Sequence, residues 1–266
     1  MLDQYNRKIN YLRISVTDRC NLRCTYCMPE GGIQQIAHPD ILTFEEIIDF
    51  VEVAVKYGFD KVRVTGGEPL VRKGIVNFIS MLVQIPGIKD LSMTTNGILL
   101  KQFAPQLKSA GLQRINVSLD TINATKYREI TRIGNLNDVL EGLQLAKELG
   151  FSPIKINCVI NKSSAEPDAT AVRKYAEKNG FQARFIPQMN LTNGSFGIVE
   201  GGDGGNCRVC NRLRLTANGH VKPCLFNSLE YSLRELGAEK AINLAITNKP
   251  KCGTTNQNGK FYSIGG

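Results

Sequence analysis

The chain has 266 residues, of which 42% are hydrophobic and 21% charged, and its formal net charge is +9. That composition builds a substantial core and excludes wholesale disorder, and no apolar run approaches the roughly 20 residues that a membrane span needs. The polar first ten residues carry no signal-peptide stretch, so a cytoplasmic protein with no membrane partner is expected. The positive surplus fits plain solubility or a polyanionic ligand such as a nucleoside triphosphate or RNA. No run of five Lys/Arg residues occurs, which argues against a nucleic-acid tail.

Short apolar runs predict strands at 11–16, 60–65, 90–95, 114–119, 153–160 and 182–186, with helical patterns between them. Thr43 opens one helix with Glu46 three residues on, a capping box, and Phe44, Ile47, Ile48, Val51 and Val55 then recur at helical spacing. A second helix covers about 136–149, with Val139, Leu140, Leu143 and Ala146 on one face and Gly150 as its stop. A third runs from about 165 to 179 and ends at Gly180. Six strands alternating with helices predict an α/β fold, a partial (β/α)6 TIM-like barrel with its chemistry at the C-terminal ends of the strands.

The character changes after Ile186. Gly194, Gly197, Gly201, Gly202, Gly204 and Gly205 predict a flexible linker. A hairpin over 212–216 and 220–225 follows, with Asn218-Gly219 in its turn. A helix near 233–246 and a polar tail complete the chain. The expected division is a barrel over 1–189, a linker over 190–206 and a small cysteine-bearing region over 207–266.

Six of the eight cysteines fall in two groups. Cys20, Cys24 and Cys27 form CxxxCxxC directly after the first strand. Three thiolates hold three corners of a four-iron cluster and leave the fourth iron open to a chelating ligand. The alternative is a zinc site completed by His38, although zinc sites more often use CxxC pairs. Cys207 and Cys210, with Cys224 brought back by the hairpin, make a second incomplete set. It reads as another cluster with an open iron, or as a zinc ribbon completed by His220 or Cys252. Cys158 lies on the apolar face of the fifth strand and reads as core. Cys252 reads as a loose tail thiol, or as a fourth ligand that would block the second open iron. His38 reads as exposed.

Spacing also orients some cations. Lys155 and Asn157 alternate with Ile154, Ile156 and Cys158, so the polar face can point into the barrel. Arg212 and Arg214 stand two apart in a strand and share a face. The alternative for Lys155 is a lysine at a strand mouth, exposed to water, and for the two arginines a solvated strand face.

Ser15 to Cys20 and Tyr26-Cys27-Met28-Pro29 resemble the signature loop of the radical S-adenosylmethionine (SAM) superfamily. Thr65-Gly66-Gly67-Glu68-Pro69 resembles that superfamily's turn for the SAM amino group. The stretch from Cys207 through Asn211-Arg212-Leu213-Arg214-Leu215 and Asn218-Gly219 to Pro223-Cys224-Leu225-Phe226 resembles the GTP 3′,8-cyclase family of molybdenum cofactor biosynthesis. The terminal Ile264-Gly265-Gly266 matches that family too.

The resemblance implies a lyase with two [4Fe-4S] clusters and SAM. Cys20, Cys24 and Cys27 would hold the catalytic cluster and Cys207, Cys210 and Cys224 the second. Tyr26, Gly67, Glu68, Ser118 and Met189 would contact SAM. Arg13, Arg63, Thr94, Lys155, Arg184, Arg212, Arg214, Gly265 and Gly266 would contact GTP, whose guanine would meet the second cluster. The family removes the ribose H3′ of GTP and joins C3′ to guanine C8, giving 3′,8-cyclo-7,8-dihydro-GTP. A flavodoxin- or ferredoxin-type electron donor, a downstream cyclic pyranopterin monophosphate synthase, and a monomer or homodimer that binds no nucleic acid are further implications.

Two departures mark this chain. A strand-and-helix segment expected between Arg184 and Cys207 is nearly absent, and Pro187 stands where the family usually has an acidic residue. They leave room for a shortened paralogue acting on another substrate such as a peptide. A zinc-bound, non-catalytic nucleic-acid module is the reading from a different class.

Overall fold

The computed structural model describes residues 1–29, 31–190 and 194–255. All six predicted barrel strands form: β1 (Tyr11–Ser15), β2 (Lys61–Thr65), β3 (Asp90–Thr95), β4 (Arg114–Ser118), β5 (Ile154–Ile160) and β6 (Gln182–Pro187). Each pairs in parallel with the next. Helices α1 (Phe44–Lys56), α2 (Ile75–Gln84), α3 (Leu100–Ser109), α4 (Ala124–Thr131), α5 (Leu136–Glu148) and α6 (Pro167–Asn179) fill the crossovers.

Alternation along the strands explains the layering. Leu12 and Ile14, Val62 and Val64, Leu91 and Met93, Ile115 and Val117, and Ile154 and Ile156 face outward and are buried in one continuous core. Ile47, Phe50, Val51 and Ala54 of α1 and Ile75, Phe78, Ile79 and Leu82 of α2 meet that core. Cys158 is 1% exposed in the same layer, as its position on the apolar face predicts. The Thr43 capping box is complete: its hydroxyl accepts from Glu46 N at 3.1 Å, and its N–H donates to Glu46 Oε2 at 2.7 Å.

The hairpin does not stand apart from the barrel. β7 (Arg212–Leu215) pairs in parallel with β1, and β8 (His220–Lys222) and β9 (Tyr231–Ser232) add antiparallel strands beyond it. The sheet order is therefore β6-β5-β4-β3-β2-β1-β7-β8-β9. The single helix expected near 233–246 is two, α7 (Leu233–Leu236) and α8 (Ala238–Thr247), because Gly237 takes φ 74° between them.

The glycine-rich stretch carries more structure than a linker pattern implies. Phe185 and Glu200 exchange both backbone hydrogen bonds, at 3.1 and 3.0 Å, and Glu200 also meets Arg173 at 2.9 Å. This stretch covers the outer edge of β6, which would otherwise present unpaired backbone groups.

Candidate active site

The parallel β1–β7 pairing fixes where the two cysteine groups lie. Cys20 follows the C-terminal end of β1, whereas Cys207 and Cys210 precede the N-terminal end of β7. The two groups therefore occupy opposite mouths of the barrel. The expectation that all the chemistry gathers at the C-terminal strand ends holds for the first group only. A strand added in parallel beside β1 brings its preceding loop to the other end.

At the C-terminal mouth, a cavity of about 240 Å³ is lined by Cys20, Cys24, Tyr26, Cys27, Gly67, Thr94, Ser118 and Met189. The cysteine loop is held by α4. Arg23 N and Thr25 N donate to Thr131 O and Ile130 O at 3.2 and 2.9 Å, using carbonyls that a helix end leaves unpaired. Arg132, with φ 66° and ψ −40°, donates from one guanidinium nitrogen to Arg23 O at 2.7 Å and Met28 O at 3.0 Å. One side chain thus braces the loop on both sides of Cys24 and Cys27.

Leu22 N and Asn96 Nδ2 lie 3.4 and 3.7 Å from Cys20 Sγ as donors. Burial raises the Cys20 thiol to about 11 and the Cys24 thiol to about 12, and raises Cys27 as well. Metal binding must displace those protons. Three cavity-facing thiols, with N–H donors aimed at one sulfur, fit an iron–sulfur cluster.

Gly67 threads a narrow gap. A Cβ there would come within 2.4 Å of Arg19 O, and Gly67 N already donates to Thr17 O at 2.7 Å. Glu68 stands behind this turn, 1% exposed, and is absent from the cavity lining. Its carboxylate accepts from Asn96 N at 2.6 Å, Leu70 N at 3.0 Å and Thr95 Oγ1 at 2.8 Å. Burial raises its pKa to about 7 despite those donors. It shapes the turn through these bonds. Tyr26 donates its hydroxyl to Asp120 Oδ2 at 2.8 Å, which ties the cysteine loop to the end of β4. The hydroxyls of Thr65 and Thr94 are buried with no hydrogen-bond partner among the described residues. Both threonines line the same cavity.

The second cavity, about 400 Å³, opens toward the other mouth. Arg13, Arg63, Lys155, Arg184, Arg212 and Arg214 all line it. Thr94, grouped with them by resemblance, lies in the first cavity. The two spaces share Asn157, Ile186 and Met189 in their walls. Gly265 and Gly266 lie outside the described residues.

Register explains the charge density. Arg13 pairs with Arg63 on one side and with Arg214 on the other, so three arginines stand in one row across β2, β1 and β7. Adjacent strands are roughly 4.8 Å apart. Burial first, then the neighbouring Arg214 and Arg63, pushes Arg13 well below its usual pKa. Burial and Arg212 lower Arg214 to about 10. Lys155 falls to about 8 through burial and the charges of Arg184, Arg114 and Arg63. Arg114, which sequence reading missed, is paired with Asp90, its Nε donating to Asp90 Oδ1 at 2.6 Å. Arg184 Nε is buried without a hydrogen-bond partner among the described residues.

Cys207, Cys210 and Cys224 line the far end of this cavity beside Lys249. Lys249 is 1% exposed and donates to Arg212 O at 2.7 Å and to Pro223 O. Burial would raise the Cys210 thiol, but Lys249, Arg212 and Arg214 outweigh it and leave it lowered. A thiol set beside a buried ammonium fits a second anionic, thiolate-held cluster. Lys249 carried no signal in the sequence, because only the fold brings it from beyond α8 to the cysteines. Cys252 is no loose tail thiol: its sulfur sits 3.3 Å from Cys207 Sγ. His38 is exposed in a short turn, as expected.

An open parallel barrel with a cysteine triad and a Gly-Gly turn at its C-terminal mouth defines the radical SAM class, and residues 14–166 match the radical SAM superfamily profile. A curated GTP 3′,8-cyclase of Thermodesulfovibrio yellowstonii is 41% identical over 282 residues, covering 89% of this chain and 88% of that protein. One from Petrotoga mobilis is 40% identical over 280 residues, covering 88% and 87%. The chain belongs to the GTP 3′,8-cyclase family of the radical SAM superfamily. Among solved structures, Streptococcus suis SuiB bound to precursor peptide SuiA matches with a TM-score of 0.72 at 16% identity, covering 92% of this chain and 66% of that one. His-tagged anSMEcpe with bound AdoMet matches at 0.62 and 16%, covering 96% and 79%. At that identity the likeness concerns the fold alone.

Proposed function

We propose that this chain is a GTP 3′,8-cyclase that converts GTP to 3′,8-cyclo-7,8-dihydro-GTP. The observation that carries the reading is the row of Arg63, Arg13 and Arg214 facing one cavity, joined by Arg212, Arg184 and Lys155. Mutual repulsion among buried cations is relieved by a polyanion, and guanidinium forks match phosphate oxygens. A triphosphate satisfies that requirement better than a neutral peptide does.

Cys20, Cys24 and Cys27 would hold one [4Fe-4S] cluster and Cys207, Cys210 and Cys224 another. SAM held at the first cluster would supply the radical oxidant needed to remove the ribose hydrogen. The chain's own residues do the rest. Gly67, Ser118 and Tyr26 shape the SAM space, and Glu68 fixes the Gly-Gly turn. The arginine row anchors the phosphates at one mouth. Asn157, Ile186 and Met189 stand where the two cavities meet, the place for the ribose edge. Phe196 stacks on Phe226 at 4.3 Å and gives the guanine end an apolar wall that excludes water.

The same reading divides the chain into a barrel over 1–189, a connecting stretch over 190–206 and a second-cluster region over 207–266. It places the enzyme in the cytoplasm as a monomer or homodimer. A flavodoxin- or ferredoxin-type protein would supply electrons, and a cyclic pyranopterin monophosphate synthase would consume the product. No helix among the described residues is long and apolar enough to cross a membrane.

The test is anaerobic reconstitution followed by reduction with SAM and GTP present. The expected result is about eight irons per chain, with 5′-deoxyadenosine and a pterin-forming product in equal amounts. Stoichiometric zinc, or 5′-deoxyadenosine with GTP recovered unchanged, overturns the reading.

A further inference from the structure

Cys252 is held in place by structure on both sides. Arg7 is 7% exposed and paired with Asp3 at 2.6 Å. From one guanidinium nitrogen it donates to Cys207 O at 2.8 Å and to Lys251 O at 3.0 Å, and from the other to Pro250 O at 2.7 Å. One buried side chain therefore pins the backbone of Cys207 to the residue preceding Cys252. On the far side, Thr254 N donates to Phe226 O at 2.9 Å. A Cβ on Gly253 would approach Phe226 Cβ to 2.7 Å and Cys224 Sγ to 3.3 Å. The chain passes the cysteine group at closest approach, and the Cys252 and Cys207 sulfurs stand 3.3 Å apart.

We propose that, when the second cluster is absent, Cys207 and Cys252 form a reversible disulfide that keeps Cys207 from taking iron until the bond is reduced. The proposal rests on Cys207 being a ligand of that cluster. In a four-iron cluster each thiolate takes its own iron. A thiol touching the sulfur of an existing ligand is placed as that ligand's redox partner, not as the ligand of the remaining iron. Cys252 is the exposed member of the pair and Cys207 the half-buried one, so Cys252 meets solvent first.

The exchange balances with a small-molecule disulfide such as oxidised glutathione. The Cys252 thiolate attacks one glutathione sulfur, breaking the S–S bond and releasing one glutathione thiolate. The Cys207 thiolate then attacks Cys252 Sγ of the mixed disulfide and releases the second. Two protein thiols are oxidised by two electrons, two glutathiones are formed, and the two protons pass to the released thiolates. A dithiol reverses both steps.

The test uses the full chain carrying Cys20→Ala, Cys24→Ala and Cys27→Ala, so that only the second group can take iron. The iron-free protein is treated with oxidised glutathione, digested without reduction and mapped by mass spectrometry. In parallel, iron uptake is measured before and after dithiothreitol. A Cys207–Cys252 cross-link is expected, with iron uptake at least tenfold below the reduced control until dithiothreitol restores it. Adding Cys252→Ser should preserve uptake of about four irons after the same oxidation. A dominant Cys207–Cys210 or Cys210–Cys224 cross-link, or equal loss of uptake in the Cys252→Ser protein, overturns the proposal. If reduced protein takes up no iron at all, the cluster assignment fails instead, and the cross-link map still decides whether the pair oxidises.

Discussion

Arg13 on β1 and Arg214 on β7 are register partners across a parallel strand pair, so residues 201 positions apart present their guanidinium groups to the same cavity. This pairing joins the N-terminal barrel to the strand that follows the second cysteine pair. Burial is the first cause of the depressed basicity of both arginines; Arg214 and Arg63 lower Arg13 further, and Arg212 lowers Arg214 further.

A cavity built that way stores repulsion that a polyanion releases. GTP is expected to raise the melting temperature of the iron-loaded protein, because a ligand that binds only the folded state stabilises it. Arg214→Met should cut that gain and weaken GTP binding by about 10- to 100-fold, the equivalent of one charged hydrogen-bonding group at roughly 1.5–3 kcal/mol. Cleavage of SAM without substrate should stay within about twofold of wild type. Calorimetric titration with GTP, GDP and GMP checks it, with affinity falling in that order.

Lys155 gives the site a pH dependence. Its pKa is lowered to about 8, so it holds its proton below that value and loses it as pH rises through it. A protonated lysine is the form that attracts phosphate. GTP affinity should therefore decline above pH 8, approaching about tenfold per pH unit. The unliganded fold shows the opposite sign. Between about 8 and the ordinary 10.5 the unfolded chain holds more protons, so this residue's contribution to stability rises with pH across that window. Lys155→Arg should flatten the binding profile between pH 7 and 9.5.

The Gly-Gly turn tolerates no side chain. Gly67→Ala sets a Cβ against Arg19 backbone oxygen at 2.4 Å, and backbone cannot step aside cheaply. SAM affinity should fall at least tenfold, read by equilibrium dialysis, and the melting temperature should drop. Glu68→Gln is milder. One acceptor oxygen becomes an amide donor facing Asn96 N–H, which costs roughly 1–3 kcal/mol of stability in denaturant melts.

Arg132 occupies a backbone conformation uncommon for a residue with a side chain, and its guanidinium braces the loop bearing Cys24 and Cys27. Arg132→Ala should speed loss of iron from the first cluster by about tenfold under chelator, while the second keeps its iron. Arg132→Lys should rescue little, because one ammonium on a flexible stem replaces a rigid fork. Iron release followed by absorbance, in a background with Cys207→Ala, Cys210→Ala and Cys224→Ala, reads the first cluster alone.

Much was legible along the chain because its causes are local. Alternation fixed the strands and the core layer that holds Cys158, and the Thr43–Glu46 capping box marked the start of α1. The spacing of Cys20, Cys24 and Cys27 pointed to three-cornered metal chemistry, since three thiolates within eight residues can face one point. The alternation of Lys155 and Asn157 with apolar neighbours allowed both to face inward, and both line the second cavity.

The tertiary structure alone decided the rest. Parallel pairing of β7 with β1 set the two cysteine groups at opposite mouths, aligned Arg13 with Arg63 and Arg214, and turned an appended hairpin into part of the barrel sheet. It also turned Glu68 behind its glycines, buried Lys249 beside the cysteines and set Cys252 against Cys207. Strand register and loop docking arise from contacts far apart in sequence, and local periodicity holds no record of which distant strand comes alongside.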